Sequence, residues 1–306
     1  MNKQELKELL NLSFLDLLRE ADKIRRAFSS STIDLCGICN AKCGVCSEDC
    51  KFCAQSGHYS TNISEYPLKS KNEIVKEALK IKESGATRYG IVTSGNKLTI
   101  NELEVIAFAI KEIIENIGLS VCASLGALDE RSFNLLKSAG LSRYHHNIET
   151  SKRFYPFIVS SHSYEERIST IKLARKAGLE VCSGGIIGMG ETWEDRIDMA
   201  LFLKELDVDS VPINILIPVK GTPLENIKTI SPVDAIKTIA LFRLILKDKN
   251  IRIAAGRESL LKDFMALVFM AGTNGMMVGG YLTTRGRSVE EDKELVSRIY
   301  DLWKIN

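Results

Sequence analysis

The chain of 306 residues is 45% hydrophobic, enough to bury one large core, and its 41 basic and 39 acidic residues almost cancel, leaving a net charge of +2. That balance excludes a protein organised around an electrostatic grip on nucleic acid or on a membrane surface. No apolar run approaches membrane-spanning length, and the opening MNKQELKELLNLSFLDLLREADKIRR mixes charges with leucines at helical spacing, so no signal peptide is expected and the cytoplasm is the predicted compartment.

Residues 1–28 read as an N-terminal capping helix, and the first strand candidate, 33–38, runs straight into CGICNAKCGVCSEDCKFC, which holds six of the eight cysteines. Its last three, Cys46, Cys50 and Cys53, read CxxxCxxC. Soft thiolates that close together on one loop suit an iron–sulfur cluster. Three ligands to a four-iron cubane leave one iron open to bind and activate a small molecule. In a reducing compartment such cysteines are expected as metal ligands rather than disulfides. A structural zinc site would need a fourth ligand, and His58 is near enough in sequence to serve, so counting alone leaves zinc open.

Beyond the loop, short apolar strands alternate with amphipathic helices. Helix starts show Ser or Thr followed three residues later by an acid: Ser70 with Glu73, Thr99 with Glu102, Ser163 with Glu166, Thr192 with Asp195, Ser231 with Asp234 and Ser288 with Glu291. Gly85, Gly118, Gly140, Gly178 and Gly272 stand where helices should end. The strands between fall near 33–38, 88–93, 119–125, 142–148, 179–187, 209–216, 250–255 and 274–279. Eight βα units without a break predict an α/β fold of the (βα)8 TIM-barrel type, closed rather than doubly wound. With no linker or low-complexity stretch, residues 1–306 are expected to form one domain.

Several strands are polar on one face: Ser120, Cys122 and Ser124; His145, Asn147 and Glu149; Pro212 and Asn214; and Arg252 between Ile251 and Ile253. Barrels that are merely packed fill their interior with branched apolar residues. These faces therefore predict a lumen lined for a ligand. Of the adjacent histidines, His145 is expected in the lumen and His146 as a structural group on the opposite face.

CSEDCKFCAQS, with an aromatic before its last cysteine, resembles the cluster loop of the radical S-adenosylmethionine enzymes, and among them the biotin synthase family. ATRYGIV, SLGALDE, HHNIETS, VCSGGIIGMGET, VPINILIPVKGTPL, RIAAGRE and FMAGTNGMMVGG are similar to that family's segments in the same order. The resemblance implies a [4Fe–4S] cluster on Cys46, Cys50 and Cys53, S-adenosylmethionine as cofactor, and sulfur insertion into dethiobiotin through a 5′-deoxyadenosyl radical. It also implies a one-electron donor such as flavodoxin or ferredoxin, and it leaves open whether the protein is a homodimer. Phe52 then lies near the adenine, and Gly184, Ile186, Gly188 and Glu191 match the adenine-side pattern GxIxGxxE. Asn147 and Glu149 match contacts to cofactor ribose and substrate, with Glu149 replacing the familiar Asp. Asn214 and His145 are substrate-side candidates, an amide being able both to donate to and to accept from a ureido ring.

The common form of the family holds a second, sacrificial two-iron cluster on three strand cysteines and an arginine. Cys122, Cys182 and Arg252 match three of those positions, but the fourth is Gly90, which cannot ligate iron. The surplus Cys36, Cys39 and Cys43 resemble the variant of anaerobes, in which a four-iron cluster with an extra sulfide takes that place. The expected auxiliary ligands are thus drawn from Cys36, Cys39, Cys43, Cys122 and Cys182, among which spacing does not choose. Arg252, Asn147 and Glu149 become the candidate catalytic residues, Arg252 holding sulfide or thiolate charge by charge-assisted hydrogen bonds. A biotin-synthase-like maturase or mutase with another substrate is the enzymatic alternative, and a zinc scaffold or electron carrier the non-enzymatic one.

Overall fold

The computed structural model describes residues 3–29, 31–283 and 286–304. Two helices, α1 (Lys3–Leu9) and α2 (Phe14–Phe28), precede the first strand. The expected single capping helix is therefore broken, because Ser13 leaves helical geometry and its side chain caps the Asp16 N–H. Residues 1 and 2 of that expectation lie outside the described residues. From there the elements alternate: β1 (Asp34–Lys42), α3 (Lys71–Glu83), β2 (Arg88–Thr93), α4 (Ile100–Asn116), β3 (Ser120–Ser124), α5 (Glu130–Ser138), β4 (Arg143–His145), α6 (Tyr164–Lys176), β5 (Glu180–Cys182), β6 (Gly185–Ile187), α7 (Trp193–Glu205), β7 (Ser210–Ile215), α8 (Pro232–Leu246), β8 (Asn250–Ile253), α9 (Arg257–Leu261), α10 (Leu267–Met270), β9 (Gly275–Met277) and α11 (Val289–Trp303).

All strand pairs are parallel, in the order β5-β4-β3-β2-β1-β9-β8-β7-β6, and a β5–β7 contact closes the circle. The nine segments make eight staves, since β5 and β6 are halves of the single strand expected over 179–187. The break has a cause in the neighbouring strand. Ser183 donates its N–H to Ser210, but the next ladder step toward β6 would need an N–H from Pro212, which has none. Gly184 sits at the break, where any Cβ would overlap the Pro212 carbonyl.

Five of the six helix starts read from sequence form complete capping boxes; at Ser231, ahead of Pro232, the Ser231 hydroxyl pairs with the Asp234 N–H and carboxylate, without the reciprocal bond to the Ser231 backbone N–H. All five expected helix-ending glycines have positive φ. Outward strand residues such as Tyr89, Ile91, Val121, Ala123, Val211 and Ile213 join the helices in one continuous apolar core. The inward faces are left for the lumen. No described helix is long and apolar enough to cross a membrane.

Candidate functional site

The barrel encloses a cavity of ≈ 420 Å³ that opens at the C-terminal ends of the strands. The cysteine loop after β1 forms part of its mouth, and Cys46, Cys50, Cys53 and Phe52 all line it. Backbone bonds shape the loop: Cys46 N–H to Gln55, Gly57 N–H to Cys46 at 2.7 Å, and Cys53 N–H to Cys50 at 2.9 Å. Asp49 fastens it to the segment after β4 by accepting the Ser160 and Ser161 N–H groups, each at 2.9 Å, and the Ser160 hydroxyl. These bonds outweigh the effect of burial and hold the Asp49 carboxyl well below the usual carboxylate range.

His58, the sequence candidate for closing a zinc site, is turned to the Ser47 carbonyl at 2.9 Å. Burial pushes the Cys53 thiol up to about 11 and the Cys50 thiol higher still. Unligated, these thiols stay protonated at neutral pH, so they need a metal's charge to become thiolates. Three thiols of one stapled loop, all at the edge of the cavity, are the soft donor type an iron–sulfur cluster takes, although among the described residues no three His, Cys, Asp or Glu side chains are already drawn together as a metal site.

Deeper in, Cys36, Cys122 and Cys182 line one level of the lumen, each less than a tenth exposed. The Cys182 thiol is lowered to about 7: burial opposes this, but the His145 ring, 3.4 Å from its sulfur, and then Arg252 and Arg143 prevail. Cys36 and Cys122 are raised by burial. Below them Arg252 pairs with Asp34. Its Nε, and Nη1 of Arg143, are buried without a hydrogen-bond partner. Two unsatisfied cationic donors beside three thiols make a cradle for an anionic group rich in sulfur.

Cys39 and Cys43 do not join that level. Strand alternation turns Cys39 out of the barrel, under α3, with Lys69 Nζ at 4.0 Å and Glu77 and Tyr89 close by. Cys43 follows the irregularity between Asn40 and Lys42, and its backbone pairs with Tyr66 in both directions at 3.1 Å. Of the five candidate cysteines, Cys36, Cys122 and Cys182 line the cavity, and Cys39 and Cys43 do not. Gly90 lies on the lumen wall, where a Cβ would come within 3.0 Å of Ile38 Cγ2, so Ile38 holds the space a fourth thiol would need.

The polar rim brings Asn147, Glu149, His145, Ile186 and Asn214 onto the cavity. His146 also reaches its wall, stacked on Tyr144 with ring centroids 6.4 Å apart and held neutral by burial. Asn147 accepts the Gly184 N–H at 3.1 Å and donates to Glu149 at 3.3 Å. Glu149 takes φ +66, a strained choice for a residue with a Cβ, which is paired across to Gly185. Glu191 faces elsewhere: its carboxylate accepts the Gly188 and Met189 N–H groups and binds buried Arg196 at 2.8 Å. It shapes the glycine loop, while Gly184 meets the close approach of Pro212 and only Ile186 of the GxIxGxxE residues lines the cavity.

Sequence reasoning missed Arg167. It rises from α6 and is largely buried, giving Nε to the Tyr155 hydroxyl and Nη1 to the Asn147 carbonyl, both at 2.9 Å, with Glu149 at 3.7 Å. A signal existed, because Arg167 stands three residues after Tyr164 and four before Ile171, on the helix's buried stripe. Asp34 was missed as well, although a lone acid opening an apolar strand is itself informative.

The sequence profile described as "Radical SAM superfamily" matches residues 41–203, and that of the "Biotin and Thiamin Synthesis associated domain" matches residues 212–299. Biotin synthase of Thermotoga neapolitana is 51% identical over 89% of this chain and 98% of its own length. That of Thermotoga petrophila is 47% identical over 98% of the chain and 99% of its own length, and that of Clostridium acetobutylicum 51% identical over 89% and 84%. Among solved structures, methylornithine synthase superposes with a TM-score of 0.83 at 22% identity, covering 99% of this chain and 93% of its own. The FeFe-hydrogenase maturase HydG from Carboxydothermus hydrogenoformans gives 0.79 at 20%, covering 96% and 77%. Those two likenesses show the barrel alone, whereas identity near one half over nine-tenths of the chain, with the cluster cysteines inside the matched region, shows that the chain belongs to the biotin synthase family of radical S-adenosylmethionine enzymes.

Proposed function

We propose that this enzyme converts dethiobiotin to biotin inside the lumen, with Cys46, Cys50 and Cys53 holding the [4Fe–4S] cluster and Cys36, Cys122 and Cys182 holding an auxiliary four-iron cluster with an extra sulfide. When bound, the first cluster and S-adenosylmethionine supply the radical that removes two hydrogens from unactivated carbons, and the auxiliary cluster supplies the sulfur. The observation that carries the reading is that two thiol triads open onto one cavity, which Arg252 also lines with its Nε unsatisfied, while the charge of Arg143 acts on Cys122 and Cys182 from behind the wall.

Each side chain then has a task. Arg252 and Arg143 neutralise sulfide and thiolate charge at the inner end, and Asp34 fixes Arg252. His145 directs a ring nitrogen at the Cys182 sulfur. Asn147, Glu149 and Arg167 form the polar rim for S-adenosylmethionine, with Phe52 and Ile186 as apolar walls, and Asn214 faces dethiobiotin. The surrounding barrel keeps water from the radical. A flavodoxin- or ferredoxin-class donor in the cytoplasm completes the reading.

The test is oxygen-free preparation of the Cys46→Ala, Cys50→Ala, Cys53→Ala triple variant, with Mössbauer spectra of the iron that remains. A four-iron signal, lost on adding Cys36→Ala and kept on adding Cys39→Ala, is expected. A two-iron signal, or dependence on Cys39, overturns the ligand set.

A further inference from the structure

We infer that His162 is a positioning residue for the cluster loop, its imidazole N–H directed at the sulfur of Cys50 and helping to set the reduction potential of the cluster. The inference rests on the assignment of Cys46, Cys50 and Cys53 above. It begins with a proton count along Arg167, Tyr155 and His162. The Tyr155 oxygen stands 2.9 Å from Nε of Arg167 and 2.6 Å from Nδ1 of His162. A guanidinium has no acceptor, so Arg167 donates to the tyrosine oxygen, and the arrangement in which the tyrosine's own proton goes to Nδ1 satisfies both contacts. Nδ1 is then an acceptor, and the ring's proton sits on Nε2.

That nitrogen lies 3.6 Å from Cys50 Sγ. The other candidate acceptor, the Glu48 carboxylate, is farther off at 3.8 Å, and its Oε2 already takes the Ser161 hydroxyl. Among the described groups the chain of donors therefore ends on the sulfur. Both rings are held in place, Tyr155 packed edge-on against Tyr164 at 5.2 Å between centroids and the His162 side chain 8% exposed.

An N–H aimed at a ligating sulfur stabilises charge there, and more so once the cluster is reduced. Arg167 also grips the Asn147 carbonyl and faces Glu149, so the same relay joins the rim of the cofactor pocket to the cluster. A shift of Arg167 on that side would be felt at Cys50 through three hydrogen bonds, by way of Tyr155 and His162.

The experiment is an anaerobic, EPR-monitored redox titration of the reconstituted holoenzyme, with iron and sulfide measured in each sample. His162→Phe should carry a full cluster with a more negative midpoint potential; His162→Gln, which keeps an N–H donor, should recover part of the shift; and Tyr155→Phe, which frees the tautomer, should fall between. A fully loaded His162→Phe enzyme with wild-type potential overturns the inference. Should the variants load poorly, pulsed EPR of wild-type enzyme grown on 15N-histidine decides: a histidine nitrogen coupled to the reduced cluster supports the assignment, and its absence sinks it. Failure of the wild-type enzyme to assemble a cluster on these cysteines defeats the functional reading itself, an outcome distinct from a loaded variant whose potential does not move.

Discussion

The side-chain amide of Asn214 is already divided between two backbone groups, donating to the Gly185 carbonyl and accepting the Ala255 N–H, each at 3.2 Å. It thus ties β6 to the loop after β8 while facing the cavity. Asn214→Ala should weaken dethiobiotin binding, read by calorimetric titration, while 5′-deoxyadenosine formation survives. Losing these two part-buried hydrogen bonds should also lower stability by about 1–3 kcal/mol, read by urea unfolding. Affinity unchanged by the substitution would remove Asn214 from the substrate shell. At this scale the cysteines of CxxxCxxC were legible because their density on one loop has no packing explanation. Arg167 was not, because its identity says only that it is charged, and its burial comes from partners 12 and 20 residues away in sequence.

Among the elements, the cluster loop depends on one carboxylate. Asp49 receives three hydrogen bonds from Ser160 and Ser161, and its folded-state pKa is depressed. A depressed acid contributes stability above its unfolded value of about 3.9 and loses it as pH falls through the lower folded value. Local opening of residues 46–62, followed by hydrogen exchange, should therefore rise below pH of about 4 in the wild type. In Asp49→Asn it should be raised already at neutral pH and lack that acid dependence; equal protection in the two proteins would refute the staple. The capping boxes belong to this scale too and were readable, since each needs only residues three apart. The split of β5 from β6 was not, because its cause, Pro212, stands on another strand.

The whole molecule is closed by a contact between distant segments. The fully buried Arg257 after β8 binds Asp292 of α11 at 2.9 Å and donates to Tyr281, which lines the cavity. Losing the Asp292 charge would leave Arg257 with Glu258, 3.1 Å away, as its remaining carboxylate partner, so the cost should stay below the about 3–5 kcal/mol of a fully unpaired buried charge. Asp292→Asn should lower the thermal midpoint and increase exchange in residues 275–283. An unchanged melting curve would show that α11 contributes little to closure.

Local rules set the eight βα staves, the helix caps, the turns ending in glycine and the cysteine loop, because period, spacing and capping act over a few residues. The sequence also implied a polar lumen, through alternation along single strands. Alternation already put Cys122 on a lumen face, but only the tertiary structure decided that Cys36 turns in and Cys39 out on the same strand, and that Cys182 arrives beside them from elsewhere in the barrel. It alone paired Arg252 with Asp34 and placed His162 against Cys50, since such contacts depend on barrel closure and strand register, which no short stretch of chain encodes.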